Sequence, residues 1–280
     1  MSYHGHPGEV PTIRIRPSSG WSALDLQSVW EYRELVYNMV WRDIKVRYKQ
    51  TVLGFSWALI QPLASLMVFS IIFGRLAQLP SEGVPYPVFT LAALLPWQLF
   101  SSGFTGAGNS VAGNAAVISK VYFPRLIIPL AAVVATLVDF AVSLLLLIAL
   151  MLWYGVPFSP NILFLPMFAA ISVVTALAAG LWTASLNVKY RDVRYLLPYF
   201  LQLWMFASPV VYSITLVPER YRALYGLNPL VGVIQGFRWA IFGGESPWPL
   251  MAGSLAIAAI LLLSGLYYFR RAEEQFSDFL

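Results

Sequence analysis

Long uncharged apolar runs separate short charged segments along this 280-residue chain. Several of these runs approach the ~20 residues with which an α-helix crosses the hydrocarbon core of a bilayer. Only 11% of the residues are charged, whereas about a quarter are charged in a soluble globular domain. The run 143–150 (SLLLLIAL) lacks the alternation of a membrane β-barrel strand. The chain is therefore predicted to be an all-α polytopic membrane protein, because lipid leaves each helix to satisfy its own backbone hydrogen bonds.

Six transmembrane helices are predicted, and an even number places both termini on the same side of the membrane. The positive-inside rule assigns that side to the cytosol. Of the 18 Lys and Arg residues, only Arg75, Arg220, Arg222 and Arg238 fall in outer segments. The net charge of +5 therefore reflects topology and does not indicate a nucleic-acid-binding surface. The predicted spans are 55–74, 87–107, 126–153, 161–186, 196–216 and 249–269.

The segments before the first span and after the last span are both predicted to be cytosolic. Residues 1–28 are predicted to be a polar lead with Pro and Gly, and 271–280 a short tail, on either side of a six-span membrane domain, 55–270. Residues 29–54 are predicted to form an amphipathic interface helix that is too charged to cross the membrane. Its apolar stripe contains Val29, Tyr32, Val36, Val40, Ile44 and Tyr48. Its opposite, polar stripe contains Glu31, Glu34, Asn38, Arg42, Lys45 and Lys49.

The long connection between spans five and six is too apolar for a free loop and too interrupted to span. Asn228 followed by Pro229 is a typical helix start, with a cap and a first-turn proline. Gly243 and Gly244 are typical of a helix end. Two short re-entrant helices at the outer leaflet are predicted here, where they would form a gate over the exit of a pathway.

Aromatic and amide side chains recur along spans one and five. Such rings suit the apolar C–H faces of sugars, while amides and hydroxyls bind their hydroxyl groups. Helix packing and an interfacial aromatic belt are the alternative explanation, and both readings stay open from the sequence. The candidate substrate-path residues are Trp57, Gln61, Phe69, Tyr199, Gln202, Trp204 and Tyr212.

Three further features bear on chemistry. Asp139 lies near the middle of the third span, where a charge costs roughly 2.5–3.5 kcal/mol, so an interhelical partner is expected; a proton relay would need more such acids. Gly103, Gly106, Gly108 and Gly113 are not followed by the Gly-Lys-Ser/Thr of a phosphate loop, which favours close helix packing or a flexible entry to the cytosolic hairpin. No cysteine is present, and His4 and His6 in the lead are not expected to bind a metal.

The densest charge in the second half of the chain is the segment 187–194 (NVKYRDVR), which joins two apolar runs. Together with 42–62 (RDIKVRYKQTVLGFSWALIQP), 122–125 (YFPR), 208–212 (SPVVY) and 228–238 (NPLVGVIQGFR), this segment resembles the permease subunits of polysaccharide-exporting ABC transporters. The motifs occur in the same order over most of the chain, and they are closer to O-antigen and teichoic-acid exporters than to capsule exporters.

The resemblance implies a homodimer in the bacterial plasma (inner) membrane, with two separate ATP-binding cassette subunits and a lipid-linked polysaccharide as substrate. The chain itself would bind no cofactor and catalyse no reaction, because ATP and magnesium would sit on the partner. Asn228, Pro229, Phe237 and Arg238 would belong to the outer gate. The residues that would contact or couple to the ATPase are Lys189, Tyr190, Arg191, Asp192, Arg194, Lys120, Arg125, Arg42 and Lys45.

Two other functions remain open from the residues. One is an ABC export permease for a small molecule or drug. The other is a membrane-embedded glycosyl- or phosphotransferase, which would need several carboxylates or a metal set near the interface. The outer acids Glu82, Glu219 and Glu245 are scattered along the sequence and do not favour such a site.

Overall fold

The computed structural model describes residues 26–49, 54–121, 123–273 and 276, and every element in these ranges is helical. His4, His6 and nearly all of the predicted lead lie outside the described residues, as does most of the predicted tail. The α-helices in chain order are α1 (Leu26–Glu31), α2 (Arg33–Lys49), α3 (Trp57–Phe69), α4 (Tyr86–Gly113), α5 (Ala115–Ile118), α6 (Ile127–Val134), α7 (Leu137–Tyr154), α8 (Leu165–Lys189), α9 (Val193–Phe206), α10 (Glu219–Tyr225), α11 (Pro229–Phe242) and α12 (Trp248–Glu273).

Five helical stretches in the described part of the chain are long and apolar enough to cross a membrane. They agree within a few residues with predicted spans one, two, three, four and six, except that the second continues to Gly113. This confirms the all-helical, multi-pass class. The five stretches are Trp57–Leu76, Tyr86–Gly113, Ile127–Tyr154, Pro160–Lys189 and Trp248–Glu273.

The predicted fifth span, 196–216, was wrong as a continuous helix. Helix α9 has 14 residues and ends at Phe206, so at 1.5 Å per residue it covers about 21 Å of a hydrocarbon core that is about 30 Å thick. The helix ends shortly before Pro209, which has no backbone N–H and disfavours a helical conformation at Ser208. The chain then runs through turns to the short helices α10 and α11.

The third span is also not one regular helix, since turn residues separate α6 from α7. At this point the Thr136 hydroxyl donates a hydrogen bond to the Val133 carbonyl at 2.6 Å. A threonine that bonds back to the preceding turn in this way bends a helix. Asp139 therefore sits in the first turn of α7.

The predicted interface helix 29–54 is divided between α1 and α2, with a turn at Tyr32. Met39 on α2 is buried, and Val36 and Val40 pack with it against a small core at one end of the bundle. The opposite side of α2 exposes Tyr37 and Trp41. Val36 and Val40 of the predicted apolar stripe therefore contact protein, while residues 50–53 of the predicted helix lie outside the described ones.

Helix α4 is the centre of the fold and packs closely against α8. A Cβ atom added at Gly180 on α8 would lie 2.5 Å from the Cβ of Ala107 on α4, and one at Gly103 would lie 3.1 Å from the Cβ of Ala176. Small residues let helix backbones approach closely in a membrane, where apolar burial alone gives little driving force. The predicted packing role of these glycines is confirmed at Gly103, whereas Gly113 has open space around it.

Gly180→Val is expected to destabilise the protein by about 1–3 kcal/mol, because the added side chain must push α4 away from α8. The measurement is thermal unfolding of the purified protein in detergent. Gly113→Ala is the matched control and should leave the midpoint nearly unchanged, since nothing lies within 4 Å of its Cβ position. Equal midpoints for both variants would contradict this account of the α4–α8 contact.

Candidate functional site

The charged tip, defined as residues 187–194, joins α8 to α9 at one end of the bundle. Lys189, Tyr190, Arg191, Asp192 and Arg194 are all exposed there. The Lys189 ammonium lies 5.4 Å from the centroid of the Tyr190 ring. The tip therefore presents cations and an aromatic ring outward, as expected of a surface that binds an acidic partner.

The charged tip is anchored by the buried side chain of Asn187. Its amide nitrogen donates hydrogen bonds to the Gly108 carbonyl and to the Asn109 side-chain oxygen, both at 3.0 Å. Both acceptors belong to the last turns of α4, a largely buried helix. A force applied at the tip would therefore reach α4 as well as α8 and α9.

The other predicted coupling residues differ in their environment. Lys120, in the hairpin between α5 and α6, is exposed. Arg125 in the same hairpin is partly buried, and its guanidinium donates to the backbone carbonyl of Glu273. On α2, Arg42 forms an ion pair with Asp43 at 2.8 Å, and Lys45 lies 5.3 Å from the centroid of the Trp41 ring.

The predicted substrate-path residues fall into two groups. Trp57 and Gln61 on α3 are exposed, as are Tyr199 and Gln202 on α9. The exposed side of α9 also carries aromatic and aliphatic residues at helical spacing. These exposed residues are Tyr195, Tyr199, Gln202, Leu203 and Phe206.

The remaining predicted path residues have partners within the chain. Phe69 is partly buried and packs with Phe73 at 6.0 Å between ring centroids. Trp204 packs edge-on against Phe100 at 4.9 Å. The Tyr212 hydroxyl is 2.5 Å from that of Tyr225. In this conformation these three side chains stabilise the helix packing and do not project from it.

The segment that follows α9 is held by side-chain donors. The guanidinium of Arg238 donates to the carbonyls of Val210 and Tyr212, each at 3.1 Å. The Tyr86 hydroxyl donates to the Val211 carbonyl at 2.6 Å. These donors replace the hydrogen bonds that a continuous helix would have made, and so they stabilise the break in the fifth predicted span.

Asn228 completes this arrangement, which we name the carbonyl clasp (Tyr86, Asn228 and Arg238). The Asn228 side-chain oxygen accepts from the Leu230 backbone N–H at 3.1 Å and from the Trp204 indole N–H at 3.0 Å. Its nitrogen donates to the Ala207 carbonyl at 3.1 Å and to the Ser208 hydroxyl at 2.9 Å. The predicted capping role of Asn228 is confirmed, and the same side chain also ties α11 to the end of α9.

The predicted gate residues of α11 are largely inside the protein. Arg238 is only 3% exposed, and its guanidinium carbon lies 3.7 Å from the centroid of the Phe89 ring. Phe237 is fully buried and packs edge-on against Phe140 at 6.0 Å. Pro229 is buried at the first position of the helix. The predicted end of α11 is confirmed at Gly243, whose φ of 79° favours glycine.

Asp139 has the interhelical partners that its position required. One carboxylate oxygen pairs with the Arg47 guanidinium, and the other accepts from the Tyr48 hydroxyl. Both partners lie near the end of α2, which is thereby fastened to α7. Burial, and then the hydrogen bond to Asp139, raises the pKa of Tyr48 to about 12, so its hydroxyl remains a donor at neutral pH.

A small cavity with a mixed polar and apolar lining adjoins Asp139 between α3, α4 and α7. Its volume is about 40 Å³, which holds about three water molecules at roughly 10–15 Å³ each. It is too small for a sugar ring, so it is not a substrate pocket. Its polar lining residues are Gln61, Gln98, Ser102, Thr136, Asp139 and Ser143.

Replacing Asp139 with Ala is expected to lower the stability by about 1–3 kcal/mol, because the Arg47 guanidinium and the Tyr48 hydroxyl lose their acceptor. Arg47→Ala should have a similar effect. The double variant should be less destabilised than the sum of the two, with a coupling energy of about 0.5–3 kcal/mol. Thermal unfolding of the unaltered protein, the two single variants and the double variant measures this cycle. Strictly additive losses would contradict the ion pair between Arg47 and Asp139. Asp192→Ala at the exposed tip is the control.

Within the described ranges, no three His, Asp or Glu side chains come together as a metal site. Sequence reasoning missed several residues that the structure places at these sites. Glu82 accepts a hydrogen bond from Ser213 beside the clasp, and Glu273 holds Arg125. These partners are 131 and 148 residues apart in the chain, so no local spacing or periodicity could have indicated them.

Comparison with known proteins gives a consistent result along nearly the whole chain. Residues 34–242 match the profile of the family described as ABC-2 type transporter. The "O-antigen export system permease protein RfbA" of Myxococcus xanthus is 30% identical, covering 90% of this chain and 98% of its own. A protein of the same description from Klebsiella pneumoniae is 28% identical over 85% and 92%. The "Polysialic acid transport protein KpsM" of Escherichia coli is 27% identical over 83% and 91%.

Proposed function

The chain belongs to the ABC-2 type transporter family, and from this premise we propose that it is the membrane permease of an ATP-driven polysaccharide exporter. Its substrate would be a lipid-linked polymer of the O-antigen kind, carried from the cytosol across the bacterial plasma membrane. The observation that carries the proposal is the similarity to O-antigen permeases over almost the full length of both chains. As a permease the chain is a transport subunit, and it is not an enzyme.

ATP hydrolysis is proposed to take place on two separate cassette subunits that bind ATP and magnesium. The charged tip supports this division, because its cations and ring are exposed and anchored through Asn187 to α4. Closure of the ATPase dimer would push the tip, and α8, α9 and α4 would tilt together. Both termini and the tip would then be cytosolic, in agreement with the positive-inside rule.

A second copy of the chain is proposed to complete the pathway. Gln61 on α3 and Gln202 on α9 are exposed, and an amide side chain facing lipid loses its hydrogen bonds to water. A water-filled path between two copies would remove this cost. Trp57 and Tyr199 would provide weak, repeated contacts with sugar rings, which suits a conduit that must release each sugar as readily as it binds it.

The short helices α10 and α11 are proposed to form the outer gate, with the carbonyl clasp as the joint between them and α9. Gating would then move the helices as units, because Asn228 and Arg238 are hydrogen-bonded and largely buried. The sixth crossing of the membrane would consist of α9 and the clasped segment after it. The exposed aromatic and basic residues of α2 would contact interfacial lipid.

Disruption of the gene in its source bacterium tests the proposal. We expect surface polymer to disappear while lipid-linked polymer accumulates inside the cell, and complementation should reverse both. An exporter of small molecules would leave the polymer unaffected, and a glycosyltransferase would stop polymer synthesis without accumulation. The purified permease alone should hydrolyse no ATP, so appreciable turnover would contradict the proposed division between two kinds of subunit.

A further inference from the structure

The end of α12 is bonded to the hairpin between α5 and α6. The Glu273 carboxylate accepts the Arg125 backbone N–H at 3.3 Å, and the Arg125 guanidinium donates to the Glu273 carbonyl. The second carboxylate oxygen of Glu273 pairs with Arg270 at 3.1 Å. The last described turn of α12 is thus bonded to a segment far away in the chain.

Phe276, three residues after Glu273, adds a packing contact to these hydrogen bonds. Its side chain is 1% exposed. Its ring packs edge-on against Phe269 at 5.5 Å and lies 5.8 Å from the Arg125 guanidinium carbon. A fully buried ring thus contacts both α12 and Arg125, in addition to the hydrogen bonds of Glu273.

The small core around Phe276 joins residues of α2, α4, α5, α6, α8 and α12. The small core that includes it also contains Met39 of α2, Ile118 of α5 and Ile127 of α6, together with Phe269 of α12. The charged tip is different, since Lys189, Arg191 and Arg194 are exposed and no described ion pair involves them. Both predicted cytosolic hairpins are therefore anchored to the bundle, but they differ in their cations: Arg125 is bonded to Glu273, whereas Lys189, Arg191 and Arg194 are exposed.

We propose that Arg270, Glu273 and Phe276 form a C-terminal latch that fastens the hairpin 114–125 and α2 to the last span. These elements then move as one unit, and Arg125 is a positioning residue within that unit instead of a contact for the ATPase. The charged tip is then the surface that binds the ATPase directly. The coupling part of this inference rests on the proposed function, whereas the latch itself rests only on the contacts above.

The first test uses the purified full-length permease alone in lipid nanodiscs, with limited trypsin digestion. Trypsin needs several residues to unfold locally, so cleavage reports how often a segment opens. Phe276→Ala should raise cleavage after Lys120 and Arg125 by about tenfold, which corresponds to 1.4 kcal/mol. Cleavage after Lys189 and Arg191 at the tip should stay unchanged.

Tyr267→Ala is the matched control, because it removes an aromatic ring from the same helix at a position that is 67% exposed. It should leave the cleavage pattern unaltered. Unchanged cleavage of the hairpin in Phe276→Ala, or an equal rise at the hairpin and the tip, would overturn the latch. This test needs neither ATPase nor substrate, so its outcome is independent of the proposed function.

The second test asks whether the latch couples the hairpin to transport, and the absence of native cysteine makes it clean. Arg125→Cys with Phe276→Cys removes both latch side chains and introduces two thiols at neighbouring positions. In the complex with its ATPase, this variant should lose at least about 90% of polymer-stimulated ATP hydrolysis, as a tenfold effect implies. A short bis-maleimide cross-link should restore it, which a merely misfolded protein would not allow.

Failure of the cross-link to restore stimulation would overturn the coupling role. Unimpaired stimulation before cross-linking would overturn it equally. Binding of the ATPase itself should persist in the double variant, because the charged tip is unaltered. If gene disruption leaves polymer export intact, the proposed function fails while the trypsin result on the latch still stands.

Discussion

Reversing the three cations of the charged tip (Lys189→Glu, Arg191→Glu and Arg194→Glu) is expected to weaken ATPase binding more than about 100-fold and to abolish export. Each charge pair that becomes desolvated at an interface is worth about 2–5 kcal/mol, and reversal adds repulsion. The change should spare folding, because all three side chains are exposed and Asn187 keeps its anchoring hydrogen bonds. Co-purification of the tagged permease with its ATPase measures the effect.

Arg75→Glu together with Arg220→Glu is the control. Both residues are exposed, and both fall in the predicted outer segments, away from the charged tip. These changes should leave ATPase binding intact. Labelling of a cysteine at position 191 should also succeed only from the cytosolic side. Normal ATPase binding and polymer display by the triple reversal would contradict the docking role of the tip.

Arg238→Ala is expected to destabilise the protein by about 2–6 kcal/mol, because two carbonyls lose a donor at a cost of about 1–3 kcal/mol each. The carbonyls of Val210 and Tyr212 would lose their donors in an interior position where water does not replace them. The segment after α9 would then detach from α11. Thermal unfolding of the purified protein, followed by tryptophan fluorescence, measures the loss of stability.

Arg238→Lys separates charge from geometry in the same assay. Lysine keeps the positive charge but lacks the planar fork that reaches two carbonyls at once, so an intermediate loss is expected. Arg220→Ala, at an exposed position of α10, controls for the loss of a cation and should be nearly neutral. A midpoint for Arg238→Ala equal to that of Arg220→Ala would contradict the carbonyl clasp.

Local sequence patterns were informative where the physical cause is local. The apolar runs predicted five of the membrane helices, since a backbone in lipid forms its hydrogen bonds within one segment. Asn228, Pro229 and Gly243 predicted the ends of α11, because capping and positive φ involve neighbouring residues. The position of Asp139 in an apolar span predicted that it needs a partner. The identity of the partners, Arg47 and Tyr48, could not be predicted from the sequence.

Local patterns did not indicate the contacts that join distant parts of the chain. The run 196–216 is largely apolar, yet α9 ends at Phe206, shortly before Pro209, and Arg238 and Tyr86 supply donors to the carbonyls that follow. Trp204 and Tyr212 match a pattern for sugar contacts, but the packing turns them inward. Arg125 looks like a free basic residue in the sequence and is bonded to Glu273 in the structure.

The sequence by itself determined the class of the protein, its family and the position of nearly every helix, because hydropathy, capping and motif order are properties of short segments. Only the tertiary structure decided which polar side chains are exposed and which are hydrogen-bonded inside the protein. Arg191 and Arg238 are chemically identical, yet one faces solvent and the other satisfies two buried carbonyls. That difference depends on donors and acceptors brought together by folding.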